Sequence, residues 1–318
     1  MRAITPIKTL IKKNVLALTL AASGSAFAVP LPLVTDCSFG PGNLMCFTSS
    51  SGAELYVASK HDDFISYGVN AISTYIAMGY TGLTDFSNGL GSGNILKLFT
   101  FNNATNGTFP DANSGTPTGG GPGSDSFVGT WPTASAVFTI AQLKTYLGQG
   151  TTPVFGFDLA EPQGGVNGLL LNGQMVISSS GGAAKDTFAF DNIFNSAYDS
   201  NSLVEAPISQ PILWKDPNGC PPGTSIGGGM CSKVISNVIG SGSAEFYALA
   251  PGFDVNDFLD TDKITITLKM SDLAGSGEEL FLANGITAPG IPVPEPGSLA
   301  LLALGLLGLG AAGRRDRS

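Results

Sequence analysis

The chain of 318 residues carries a formal net charge of −9 and a mean hydropathy of +0.23, with 12% charged residues, 43 Gly and 20 Pro. Glycine without an every-third-residue period excludes a collagen-like chain, and 43% apolar residues exclude a wholly disordered one. Fifteen Lys and Arg against 24 acids exclude the basic footprint of a nucleic-acid binder, and one His leaves little material for a multi-metal site.

Residues 1–28 read as a signal peptide. Arg2, Lys8, Lys12 and Lys13 form a basic region, and residues 15–22 (VLALTLAA) form a short apolar run. Ala26 and Ala28 place small residues three and one positions before the cut. The run is shorter than the roughly 20 residues that a permanent span needs. Cleavage by signal peptidase after Ala28 is therefore expected.

Residues 29–287 are expected to form an exported β-rich domain. The stretch 29–296 keeps eight Lys and no Arg against 23 acids, a net charge near −15. Such a surface repels phosphate polymers and acidic polysaccharides unless cations bridge them. Cys37, Cys46, Cys220 and Cys231 all fall in this part. In an oxidising compartment an even count reads as disulfides; four Cys allow three pairings, of which the local one, 37–46 and 220–231, is the most economical.

Strand candidates in chain order are 53–57, 73–80, 95–101, 154–159, 187–190, 244–250, 263–270 and 279–283. The clearest is 263–270, where Ile264, Ile266, Leu268 and Met270 alternate with polar residues. Asn172-Gly173, between apolar runs in 169–177, reads as a hairpin turn. Thr139 and Gln142 form a capping box that predicts a short helix near 140–147, stopped by Gly148. Residues 102–130, almost all Asn, Thr, Gly, Ser, Pro and Ala, read as a long low-complexity loop. The expected fold class is mainly β, an antiparallel β-sandwich or jelly-roll-like arrangement.

Candidate chemistry is sparse. His61, followed by Asp62 and Asp63, would have to serve any Ser–His–Asp triad, but no G-x-S-x-G elbow accompanies it. A solvated turn is the expectation for it. Asp158 with Glu161, and Glu278 with Glu279, offer paired carboxylates of the kind used in glycoside hydrolysis. Asp254, Asn256, Asp257, Asp260 and Asp262 place five oxygen-bearing side chains within nine residues, a weak calcium motif without EF-hand spacing. No other cofactor is expected, and turn-forming acids capping a strand are the favoured reading of the cluster.

Residues 288–297 form a Pro-rich spacer holding Pro294, Glu295 and Pro296. Residues 298–313 are apolar, about 24 Å long as a helix. Arg314, Arg315 and Arg317 follow as a basic stop, expected on the cytoplasmic side. The run is short against a hydrocarbon core of about 30 Å, which suits transient entry into the inner membrane.

The order of Pro294-Glu295-Pro296, apolar helix (within 298–318) and Arg cluster resembles the PEP-CTERM sorting signal of exported bacterial proteins. The resemblance covers residues 293–318 and implies processing by an exosortase, a Gram-negative envelope, and association with exopolysaccharide or biofilm. The expected function is that of an exported cell-envelope or extracellular-matrix protein without catalysis. Two alternatives stand beside it: a carbohydrate-binding module, calcium-stabilised through 254–262, and a glycoside hydrolase of the same layer. Signal peptidase, exosortase and extracellular polysaccharide are the expected partners; nucleic acid is not.

Overall fold

The computed structural model describes residues 29–85, 95–102, 126–132, 136–148, 150–158, 170–194, 197–202, 204–205, 211–235, 244–271 and 276–289. The signal peptide, the sorting segment 298–318, most of the spacer 288–297 and most of the loop 102–130 lie outside them. The first strands are β1 (Val29–Pro30), β2 (Thr35–Asp36), β3 (Leu44–Thr48), β4 (Glu54–Lys60) and β5 (Ile65–Gly68). Helix α1 (Val69–Ala77) follows, then β6 (Ile95–Asn102), β7 (Ser126–Trp131), β8 (Phe138–Thr139) and helix α2 (Ile140–Leu147). Next come β9 (Val154–Asp158), β10 (Leu170–Ser178), β11 (Ala184–Phe190), β12 (Val204–Glu205) and β13 (Ile212–Lys215). The last are β14 (Ser225–Gly227), β15 (Met230–Lys233), β16 (Phe246–Leu249), β17 (Lys263–Ser271), β18 (Ser276–Ala283) and β19 (Ile286–Thr287).

These strands form two antiparallel sheets and one small parallel pair. The six-stranded sheet runs β11-β10-β17-β7, with β12 on β10 and β8 on β17. The eleven-stranded sheet runs β14-β15-β13-β4-β5-β16-β9-β18-β6, with β3 on β4 and β2 on β3. The alternation in β17 does what its sequence requires: Ile264, Ile266, Leu268 and Met270 are all buried. They share one core with Met175, Phe188 and Phe190 of the same sheet and with Phe155, Phe157, Phe246 and Leu280 of the larger one. Phe157 and Phe246 stack there with centroids 4.2 Å apart.

The larger sheet is covered on its other face too. Leu55, Tyr67, Tyr247, Leu249 and Phe281 form a second core with Val69, Ile72 and Tyr75 of α1. Burial on both faces explains why β9 and β16 are buried at every position and lack alternation. Helix α2 forms as its capping box predicts. The Gln142 N–H donates to Thr139 Oγ1, and Gln142 Oε1 accepts from the Thr139 N–H. Its Ile140, Leu143 and Leu147 enter the first core.

Three expectations are corrected. Residues 73–80 are not a strand: most of them belong to α1, whose buried Val69, Ala71, Ile72 and Tyr75 follow helical spacing over the larger sheet. Tertiary cover overrides the strand preference of Ile, Thr and Tyr there. Asn172-Gly173 is not a turn, because β10 runs unbroken through it between β11 and β17. The turn of that hairpin lies at 179–183, where the Ser179 N–H donates to the Ala183 carbonyl. Finally, residues 126–130 of the expected loop form most of β7, an edge partner of β17.

Candidate functional site

His61 is where a triad would have to be built. It lies between β4 and β5, and its Nε2 is 2.7 Å from Ser66 Oγ. A hydroxyl bonded to an imidazole is the start of a nucleophile–base pair. Both groups are sealed, however: His61 is 2% exposed and Ser66 fully buried. The ring packs on Phe190 with centroids 4.6 Å apart. Burial lowers its pKa to about 3, so the imidazole is neutral. The expected solvated turn is thus a buried junction. The Asp62 N–H donates to the Asp191 carbonyl, the Asp63 N–H to the Ala189 carbonyl, and the Ala189 N–H to Asp63 Oδ2. These bonds fasten the larger sheet to β11. Neither Ser66 nor His61 is open to solvent in this arrangement.

Carboxylates meet elsewhere. Asp158 at the end of β9 is the direct register partner of Glu279 on β18. Glu245, just before β16, donates its N–H to the Phe157 carbonyl, which sets it beside Asp158. Alternation turns Phe157, Phe246 and Leu280 into the first core and leaves the three acids on the opposite face, with Tyr247. Burial, and then the charges of Asp158 and Glu245, push the Tyr247 pKa upward. Lys97 on β6 forms an ion pair with Glu279. Direct antiparallel partners hold their Cβ atoms roughly 5 Å apart, so Asp158 and Glu279 are neighbours on this face, the kind of carboxylate pairing that glycoside hydrolysis uses. Asp158 is only 4% exposed, and Glu279 is already held by a cation. Glu161 and the Glu278 side chain lie outside the described residues. Sequence reading singled out Asp158 and Glu279 but not their meeting, nor Glu245, Lys97 and Tyr247, because only sheet register joins them.

The five oxygen-bearing residues at 254–262 take separate roles. Asp254 caps a 3-10 turn, its Oδ1 accepting from the Asn256 N–H at 2.8 Å. Asn256 and Asp257 are exposed. Asp260 Oδ1 pairs with Lys144 of α2 at 2.7 Å. Asp262, buried, pairs with Lys185 of β11 at 2.7 Å and accepts from the Leu259 N–H at 2.9 Å. The bond from Lys185 is the main cause holding its carboxyl below the usual range. The segment thereby ties α2 and β11 to the start of β17. Among the described residues, no group of three or more His, Cys, Asp or Glu side chains is arranged to hold a metal ion.

The four cysteines pair locally. Cys37 joins Cys46 and Cys220 joins Cys231, and none is left free. The second bridge fastens the 220–231 loop to β15, beside the edge strand β14. Ile226 on that edge and Val234 beyond β15 are exposed. Among the described residues no helix is long and apolar enough to cross a membrane.

Residues 292–315 match the PEP-CTERM protein-sorting motif, and the match includes Pro294, Glu295, Pro296, Arg314 and Arg315. The motif implies export and cell-surface sorting through an exosortase. No curated protein and no solved structure matches the chain.

Proposed function

We propose that this protein is a component of the bacterial cell envelope or extracellular matrix, associated with exopolysaccharide or biofilm, whose domain works by display rather than catalysis. The observation that carries the reading is the sorting motif at 292–315. Supporting it are the two disulfides, which suit an oxidising compartment, and the net charge near −15 of the exported part. Against catalysis stand the burial of Ser66 and His61 and the low exposure of Asp158. The domain is read as an antiparallel β-sandwich, supported by the core that both sheets share.

The test is deletion of 293–318 in the native host, following the protein's size and location. Sorting through the tail predicts that the truncated chain loses its processing step and its surface retention. Unchanged processing and retention overturn the reading.

A further inference from the structure

The two-stranded sheet joins the ends of the domain. Val29 is the residue that follows the expected signal cleavage, and Ile286-Thr287 stand just before the spacer of the sorting tail. They pair in parallel, Val29 with Ile286 and Pro30 with Thr287. The Val29 N–H donates to the Gly285 carbonyl at 2.7 Å, and the Leu31 N–H to the Thr287 carbonyl at 2.9 Å. The ladder takes donors from alternate residues, so Pro30, which has none, falls where none is used. Leu31, Ile286 and Ala288 are buried in the second core, so the pair is held by packing as well as by two hydrogen bonds.

We infer that β1 and β19 form a terminal clasp that is closed while the sorting tail is still attached, so that both address segments leave the domain from one patch. This rests on the sorting reading above. The strand geometry separates Val29 from Ala288 by roughly 8 Å, two residues of rise and one strand spacing. Seven residues lead from Ala22, the end of the signal's apolar run, to Val29, and ten lead from Ala288 to Ser298. At no more than about 3.6 Å each, those tethers reach roughly 25 Å and 36 Å. Both apolar segments can therefore enter one bilayer around a folded domain. Signal cleavage frees the amino terminus but leaves it docked at the root of the tail.

The test is a Pro30→Cys, Thr287→Cys double variant of the full chain, expressed where no exosortase acts so that the tail is retained. Direct strand partners lie within disulfide reach. Peptide mapping of the signal-cleaved, tail-bearing chain should find positions 30 and 287 linked in most molecules, alongside the two native disulfides. Native disulfides with both new thiols free to alkylate overturn the clasp. A second measurement uses the unaltered chain: the Leu31 amide should exchange roughly 100-fold or more slowly than an open chain while the tail is attached. Open-chain exchange there overturns the inference even if the double variant misfolds. In the native host the same mapping shows whether the tail is removed. A retained tail with the link formed counts against the sorting reading alone; a removed tail without the link counts against the clasp alone.

Discussion

Replacing Gly173 by alanine adds a Cβ that would lie 2.6 Å from the Thr267 carbonyl oxygen and 3.6 Å from Leu268 Cα. Even close carbon–oxygen contacts between strands lie at about 3.3–3.6 Å. The obstacle is backbone, so relief requires β17 to move away from β10 along a ladder that runs the length of both strands. Overpacking of this kind costs roughly 1–3 kcal/mol, and a backbone obstacle places it in the upper part, about 2–3 kcal/mol. At about 2–4 °C per kcal/mol for a domain of this size, Tm should fall by roughly 4–12 °C. Gly182 is the control: it sits at φ +93° with nothing within 4 Å of its added Cβ. Alanine there should cost backbone strain alone, about 1–3 kcal/mol, with no displacement of a neighbouring strand. Thermal melting of the purified, oxidised mature protein, followed by circular dichroism, reads both. If Gly173→Ala melts like the wild type, β10 does not run through Asn172-Gly173 against β17.

Four further outcomes follow from the same geometry. Burial holds the His61 pKa at about 3, against about 6.5 unfolded; the unfolded chain takes up the proton first as pH falls, so stability is whole above about pH 6.5 and declines below it. Between pH 6.5 and 5 the wild type should lose roughly 1 kcal/mol per pH unit more than His61→Gln; parallel stability–pH curves would contradict a buried neutral imidazole. The double change Cys220→Ser, Cys231→Ser reopens a short loop and should cost about 2–3 kcal/mol in thermal or denaturant unfolding, with no loss meaning that the bridge constrains nothing. Calcium should leave Tm unmoved, since Asp260 and Asp262 are already ion-paired; a chelator-reversible rise would instead assign 254–262 as a calcium site. Purified mature protein should not cleave the host exopolysaccharide, whereas turnover abolished by Asp158→Asn or Glu279→Gln would make the register pair catalytic.

Elements whose determinants lie wholly within a few neighbouring residues are legible in the sequence. The capping box of α2 is complete within four residues, the alternation of β17 within eight, and each disulfide closes a loop of about ten. What failed depended on partners distant in sequence. Asn172-Gly173 carries a strong turn cue, yet the Asn172 amide donates to the carbonyls of Asp199 and Ser202 and accepts from Tyr198 Oη. Those bonds anchor a loop more than twenty residues away, and Gly173 allows β17 to approach closely. Residues 73–80 have strand-like composition, but the exposed face of the larger sheet needs cover, and α1 provides it. The carboxylates at 158, 245 and 279 share a face only because β9 lies between β16 and β18. The sorting tail was legible because it is a linear signal, read in sequence order rather than in a fold.

The most direct measurement is the intact mass of the mature protein isolated from its own host. Export and tail sorting predict a chain that begins at Val29, ends at or near Pro296, and lacks the four hydrogens lost to two disulfides. Any added mass would report modification after sorting. A surface protein whose mass still includes residues 298–318, with the apolar run and the Arg cluster, would contradict sorting through the tail.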